Sequence, residues 1–252
     1  MTLRVLVVTA VAAEAHSVAG GIADCAARSS RPLPSGHTVT SHLLTGHSLD
    51  RLTGAAAPAV DVLAAGVGPA AAAVGAATAL ATAPYPYDLV ISAGIGGGFA
   101  PRAPLGSLVV SDSIVAADLG ADTPDGYLPV EELGFGRSVH IPPAALCARV
   151  ADAVRGTGLP CLTAPVLTVS TVTGTAARTA ELTARHPHAG AEAMEGFGVA
   201  EAAAAHGVPA VEIRAVSNTV GPRDRAAWRV GAALDALRTA FEPLSTRVFR
   251  EE

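Results

Sequence analysis

Along nearly the whole chain, short runs that are apolar at every position alternate with alanine-rich stretches of helical length. A strand with no polar face must be covered on both sides, and in sheets of this kind helices cover it. The runs predict strands near 3–10, 38–45, 60–65, 88–94, 107–116, 161–169 and 208–217. The stretches between them predict helices near 13–25, 69–83, 143–155, 175–186, 193–206 and 224–242. Gly207 and Pro209 stop the fifth helix, and Val230, Leu234, Leu237 and Phe241 form one apolar stripe on the sixth. Neither an internal repeat nor a Ser/Gly linker divides the chain. The expected architecture is a single domain over residues 1–252, a three-layer α/β/α sandwich with a mixed, largely buried central sheet.

At 252 residues the chain can bury a core without disulfides or a metal. Half of it is hydrophobic but only 4% is aromatic, so the core must be assembled from small side chains, chiefly Ala and Val. All 17 basic residues are arginine and the net charge is −5, which argues against a nucleic-acid partner because phosphate neutralisation needs clustered cations. Cys25, Cys147 and Cys161 form no CxxC pair, so neither a disulfide framework nor a zinc site is expected, and a cytoplasmic location fits. His37, His42 and His47 recur every five residues, a spacing that keeps to neither a strand face nor a helix face. No nearby carboxylate or cysteine completes a coordination set, so no metal is expected there.

Two segments imitate membrane signals. Arg4 and the apolar run after it resemble a short signal peptide, but the β-branched residues of that run favour a buried first strand. Residues 62–87 carry no charge and are long enough to span a bilayer. Gly66, Gly68, Pro69, Gly75, Pro84 and Pro86 punctuate them, which reads as strand, turn and helix. The expectation is a soluble chain with no membrane partner.

Two glycine turns follow strands. Gly66-Val67-Gly68-Pro69-Ala70-Ala71 matches the dinucleotide fingerprint in form, but two strands precede it and the downstream acid is misplaced. Gly94-Ile95-Gly96-Gly97-Gly98 follows a buried strand and would let a ligand approach the backbone at Gly94 and Gly96; a bulge or tight crossover would use the same residues. No lysine follows either turn, which excludes a P-loop. The predicted 193–206 helix puts Glu195 in its first turn, where the helix dipole favours a carboxylate. Arg214 lies in an otherwise apolar strand and needs a carboxylate partner, for which Glu195 is a candidate. Asn218, at the end of that strand, can both donate and accept hydrogen bonds. Glu14 follows the first strand at the mouth of a helix; taken alone, it reads more readily as an ordinary first-turn acid.

Taken together, these segments resemble the nucleoside phosphorylase/nucleosidase superfamily, and its nucleosidase branch in particular. The likeness runs through the opening strand ending in Glu14, the turns at Gly66–Gly68 and Gly94–Gly98, and Leu105-Gly106-Ser107-Leu108-Val109-Val110-Ser111 followed by Asp118. It continues through Ala193-Met194-Glu195-Gly196 and Ile213-Arg214-Ala215-Val216-Ser217-Asn218. The resemblance implies Glu14 as the general base toward water, Glu195 as the holder of the ribose 2′- and 3′-hydroxyls, and Asn218 as the partner of the leaving base. It further implies a substrate-binding surface that includes Gly94, Gly96, Val172, Met194, Arg214 and Ser217. The implied ligand is a small-molecule nucleoside. No cofactor is implied, and the chain is expected to be a homo-oligomer, a dimer or larger.

Two departures from the family pattern sharpen this. Adenine-cleaving members place Asp where Asn218 stands, whereas 6-oxopurine enzymes commonly place Asn; an amide tolerates O6, which an ionised carboxylate would repel. The implied base is therefore hypoxanthine-like. Phosphorylases of the family hold phosphate with an Arg and a Ser around the second glycine turn, and the matching positions here are Ser92 and Ile95. Water is then the expected nucleophile. A methylthioadenosine-type nucleosidase, a 6-oxopurine phosphorylase and a non-catalytic nucleoside binder stand as alternatives. Residues 118–140, rich in Asp, Gly and Pro, are expected to form an internal loop that could serve as a lid.

Overall fold

The computed structural model describes residues 3–23, 25–44 and 59–250; His47 lies outside them. The first half of the chain forms Arg4–Thr9 (β1), Ala12–Gly21 (α1), Cys25–Pro32 (β2), Thr38–Leu44 (β3), Ala59–Ala64 (β4), Pro69–Ala81 (α2), Leu89–Gly98 (β5) and Leu108–Ala116 (β6). The second half forms Gly120–Thr123 (β7), Gly126–Pro129 (β8), Val139–His140 (β9), Ala144–Arg155 (α3), Cys161–Thr168 (β10), Ala176–Arg185 (α4), Ala191–Ala193 (β11), Gly196–Ala205 (α5), Ala210–Thr219 (β12) and Val230–Pro243 (α6).

The central sheet runs β11-β10-β6-β12-β5-β1-β4-β3-β2 and mixes parallel with antiparallel pairs. Alternation along each strand divides the core into two layers. Val5, Val7, Val62, Ile91 and Ile213 face Val18 of α1, Val150 and Val154 of α3, and Leu237 and Phe241 of α6. Leu6, Val8, Leu63 and Val90 face Ala72, Ala76 and Ala79 of α2, with Val199 and Ala203 of α5. The alanine-rich helices thus lie on both sides of the sheet, as strands lacking a polar face require.

One feature of the sheet was not legible from periodicity. Ala191 and Glu192 of β11 pair with Gly98 and Gly97 of β5, which closes β5, β12, β6, β10 and β11 into a ring. The closure requires bare backbone on β5, because a Cβ at Gly96 would stand 2.8 Å from the Glu192 carbonyl oxygen. A bulge between Val216 and Asn218 adds one residue to β12 where it passes Gly96 and Gly97, and bulges of this kind bend a strand and re-aim its side chains.

Several expected boundaries shift. The helix expected from residue 193 begins at Gly196, because Ala191–Ala193 joins the sheet, so Glu195 is an N-cap instead of a first-turn residue. The last helix starts at Val230, after a short 3₁₀ turn at Arg225–Ala227. Its buried side is Ala233, Ala236, Leu237, Ala240 and Phe241, while Val230 is exposed; the expected stripe is rotated because small alanines approach the sheet most closely. Strand β2, with the sequence CAARSSRP, was not expected: it is an edge strand, held by pairing to β3 instead of by an apolar face. Residues 118–140 are no simple loop, since they carry the β7–β8 hairpin and β9. Among the described residues, no helix is long and apolar enough to cross a membrane, and no group of three His, Cys, Asp or Glu side chains could hold a metal.

Candidate active site

A cavity of about 260 Å³ opens at the carboxyl ends of β1, β5 and β12. Ligands of open α/β sheets bind in this position, since strand ends there give way to loops. Of the residues singled out in the sequence, Glu14, Gly96, Val172, Met194, Glu195, Ser217 and Asn218 all line it. Gly94 and Arg214 do not. They lie beneath the floor, with Arg214 only 1% exposed, so their expected place on the binding surface becomes a place under it.

Glu14 is buried at the third position of α1 and turns back toward the end of β1. Its Oε2 accepts the backbone N–H of Ala10 at 2.9 Å and of Val11 at 3.2 Å, and its Oε1 accepts that of Ile95 at 2.9 Å. Three donors, two just past the end of β1 and one within β5, therefore hold one carboxylate at the cavity wall. Ser92 is buried, with its hydroxyl 3.1 Å from a guanidinium nitrogen of Arg214, and Ile95 contributes to the lining.

Glu195, 5% exposed, accepts the N–H of Gly68 at 3.2 Å and of Met194 at 3.3 Å. Gly68 can present that N–H because it caps α2 with φ at 94°, a conformation that favours glycine. Beneath, Arg214 reaches Glu195 Oε2 at 3.1 Å, as the sequence suggested, and Glu212 Oε1 at 2.7 Å, which it did not. Burial alone would lower the Arg214 pKa, but the Glu212, Glu195 and Glu14 carboxylates outweigh it and raise the pKa above its usual value. Glu212 lies wholly buried beneath, its pKa raised by that burial against the pull of Arg214, while Glu14 and Glu195 stand at the cavity, where carboxylates favour positive charge developing above them.

Asn218 comes from the bulged end of β12. Ser217 Oγ lies 2.9 Å from Asn218 Oδ1 and donates to it, while Asn218 Nδ2 donates to the Thr219 carbonyl at 3.1 Å. With Oδ1 engaged, the second N–H of the amide is left to donate to a ligand. On the other side of Gly97 stands Glu192, because Gly97 pairs with Asn218 across one edge and with Glu192 across the other. Glu192 is buried, accepts the Thr173 N–H at 2.8 Å and the Thr173 hydroxyl, and its pKa is raised by burial, against which the Thr173 hydrogen bonds act.

Sequence reasoning passed over Glu192, Thr173, Glu212, Arg223 and Trp228. Alternation along β12 puts Glu212 and Arg214 on one face, so that pair was available as a signal. Glu192 carried none, since its place depends on β11 closing against β5. No residue of 118–140 is among those that line the cavity.

Residues 5–250 match the family profile of the phosphorylase superfamily. A futalosine hydrolase from Streptomyces coelicolor is 56% identical over 246 residues, covering 96% of this chain and 95% of that protein. A futalosine hydrolase from Acidothermus cellulolyticus is 43% identical, over 97% and 91% respectively. In fold, the chain matches a 5′-methylthioadenosine/S-adenosylhomocysteine nucleosidase from Neisseria meningitidis solved with methylthio-immucillin-A, with a TM-score of 0.78 at 17% identity over 96% of this chain and 99% of that one. A profile match across almost the whole chain, joined to full-length relatives well above 30% identity, places the chain in the phosphorylase superfamily.

Proposed function

We propose that this chain is a futalosine hydrolase that cleaves the N-glycosidic bond of an inosine-type nucleoside with water, releasing hypoxanthine and dehypoxanthinyl futalosine. The two full-length relatives support the substrate. The observation that carries the chemistry is that Glu14, Glu195 and Asn218, drawn from three separate elements, line one cavity.

Breaking the bond leaves its electron pair on the base and positive charge at C1′ and the ring oxygen. The N–H of Asn218 stabilises the departing base at N7 or O6. Glu195 binds the 2′- and 3′-hydroxyls, and its charge favours the cationic sugar. Glu14 orients a water on the opposite face of the ring and accepts its proton as the oxygen bonds to C1′; the purine leaves as its anion and takes up one proton from solvent to become hypoxanthine, while Glu14 returns its own to solvent. Met194 and Val172 pack against the sugar and base. Arg214 is a positioning residue that holds Glu195 from below. Ile95 and the engaged Ser92 offer little to a phosphate dianion, which supports water as the nucleophile.

The exposed apolar side chains of Val11, Val67 and Val172 around the mouth support a homo-oligomer in which a second copy shields the rim, a state that sedimentation velocity would read. Three free cysteines are consistent with the cytoplasm. The reaction is tested by incubating the purified protein with inosine- and adenosine-type nucleosides, with and without phosphate, and identifying the products chromatographically. Phosphate-independent release of hypoxanthine and free sugar is expected. A sugar 1-phosphate would make the chain a phosphorylase, and absence of turnover would leave a binder.

A further inference from the structure

We propose that Glu192 is a specificity-determining residue that accepts the N1–H of a 6-oxopurine base, an inference that rests on the cavity being a nucleoside site. The family resemblance implies Asn218 as the partner of the base, yet Glu192 lines the same cavity and no step of the hydrolysis uses it. Its side chain is buried, and that burial raises its pKa. Among the described residues Glu192 makes no ion pair; Arg178, which lowers that pKa from a distance, is paired with Glu181. A buried carboxyl without an ion pair is unfavourable in the free protein. Standing in a cavity wall, such a group points to a contact with the ligand.

The backbone sets Glu192 beside Asn218. Both pair with Gly97, from opposite edges of β5, and directly paired residues project from the same face of a sheet. Gly97 puts no side chain between them: a Cβ there would stand 3.2 Å from Asn218 Nδ2. Thr173, also in the lining, fixes the carboxyl by donating its N–H to Oε1 at 2.8 Å and its hydroxyl to Oε2. Each oxygen has room for a second hydrogen bond. Because both Thr173 donors are engaged by Glu192, this part of the wall offers a ligand acceptors only.

An acceptor-only wall matches one class of purine. The base of an inosine-type nucleoside carries a single N–H, at N1, next to O6. Adenine has a lone pair at N1 and a 6-amino group. An ionised carboxylate bonds the first and repels N1 of the second. With Asn218 donating at O6 or N7, the two side chains read one edge of the base, an acceptor on one side and a donor on the other. Asn218 by itself is the weaker filter, since an amide that turns over can present either its oxygen or its N–H₂. An ionised carboxylate has no donor to present in any orientation.

The test measures kcat/KM for inosine and adenosine in phosphate-free buffer, and calorimetric binding of hypoxanthine and 1-methylhypoxanthine, which lacks the N1–H. The wild type should favour inosine, and should bind hypoxanthine at least about tenfold more tightly than its 1-methyl form, the size of a hydrogen bond to a charged group. In Glu192→Gln the Thr173 N–H claims the amide oxygen, which leaves the amide N–H₂ to donate to N1 of adenine. The inosine-to-adenosine ratio should then fall by at least about tenfold. Because the ratio is taken within one variant, general damage to the fold would not move it. A ratio that survives Glu192→Gln, or equal binding of the two bases by the wild type, would overturn the contact even with hydrolysis intact. A preference for hypoxanthine over 1-methylhypoxanthine that Glu192→Gln abolishes, without turnover of either nucleoside, would uphold the contact while removing the hydrolase reading. Absence of both binding and turnover would remove the two together.

Discussion

Gly94 and Glu14 face each other so closely that a Cβ on Gly94 would stand 2.5 Å from Glu14 Oε1. The same atom would lie 2.7 Å from an Arg214 guanidinium nitrogen. Glu14 has little room to yield, since three backbone N–H groups hold its two oxygens. Gly94→Ala should therefore displace the carboxylate and lower kcat roughly 100-fold, the usual penalty of an ångström-scale misplacement. It should also destabilise the fold by about 1–3 kcal/mol through overpacking. Steady-state kinetics and thermal melts would read both, and wild-type turnover would show that the contact does not matter.

Glu14→Gln removes the proton acceptor and turns an amide N–H₂ toward backbone groups that are themselves donors. The rate should fall by roughly 10²–10⁴, while calorimetry should still detect hypoxanthine binding, because the Asn218 side of the cavity is untouched. A normal rate would end the general-base assignment.

Ser217→Ala leaves Asn218 Oδ1 without its donor, so the amide can rotate and present its oxygen to the base. Loss of one hydrogen bond, about 0.5–1.5 kcal/mol, should appear in kcat/KM as a drop of up to roughly tenfold for inosine-type substrates. Selectivity over adenosine-type substrates should narrow at the same time, because an amide oxygen accepts from the 6-amino group. Unchanged selectivity would mean that the hydroxyl does not set the orientation.

Glu192 sets a pH signature. Burial raises its carboxyl above the ordinary value of 4.5, so folding favours the protonated form. The stability this contributes is complete below the unfolded-state value and is lost as pH rises through the folded-state value. Glu192→Gln removes the term, so its Tm relative to wild type should climb as pH increases from about 4 to 8. A difference that stayed flat or fell would show that folding does not raise the Glu192 pKa.

Most of the layered fold was legible because it follows from local pattern. The β-branched run Val5, Leu6, Val7 and Val8 favoured a strand buried on both faces over a signal peptide, and these residues pack into both core layers. Pairing Arg214 with Glu195 was inferable because a buried guanidinium needs a carboxylate, and 3.1 Å separates them. Strand β2 was not legible, since nothing in CAARSSRP repeats with a period of two and only pairing with β3 makes it a strand.

By themselves the residues determined most of the buried strands and the helices between them, that helices must cover both faces of the sheet, and which carboxylates and amide were worth watching. Those are consequences of side-chain type and spacing, properties that travel with a short stretch of chain wherever it lies. Tertiary structure alone decided that β11 closes on β5, that Glu192 and Asn218 flank the same glycine, and that Arg223 and Trp228 stand at the mouth. Each of these depends on contacts between residues distant in sequence, and no local preference encodes such a contact until the sheet has closed and the strand ends are held together.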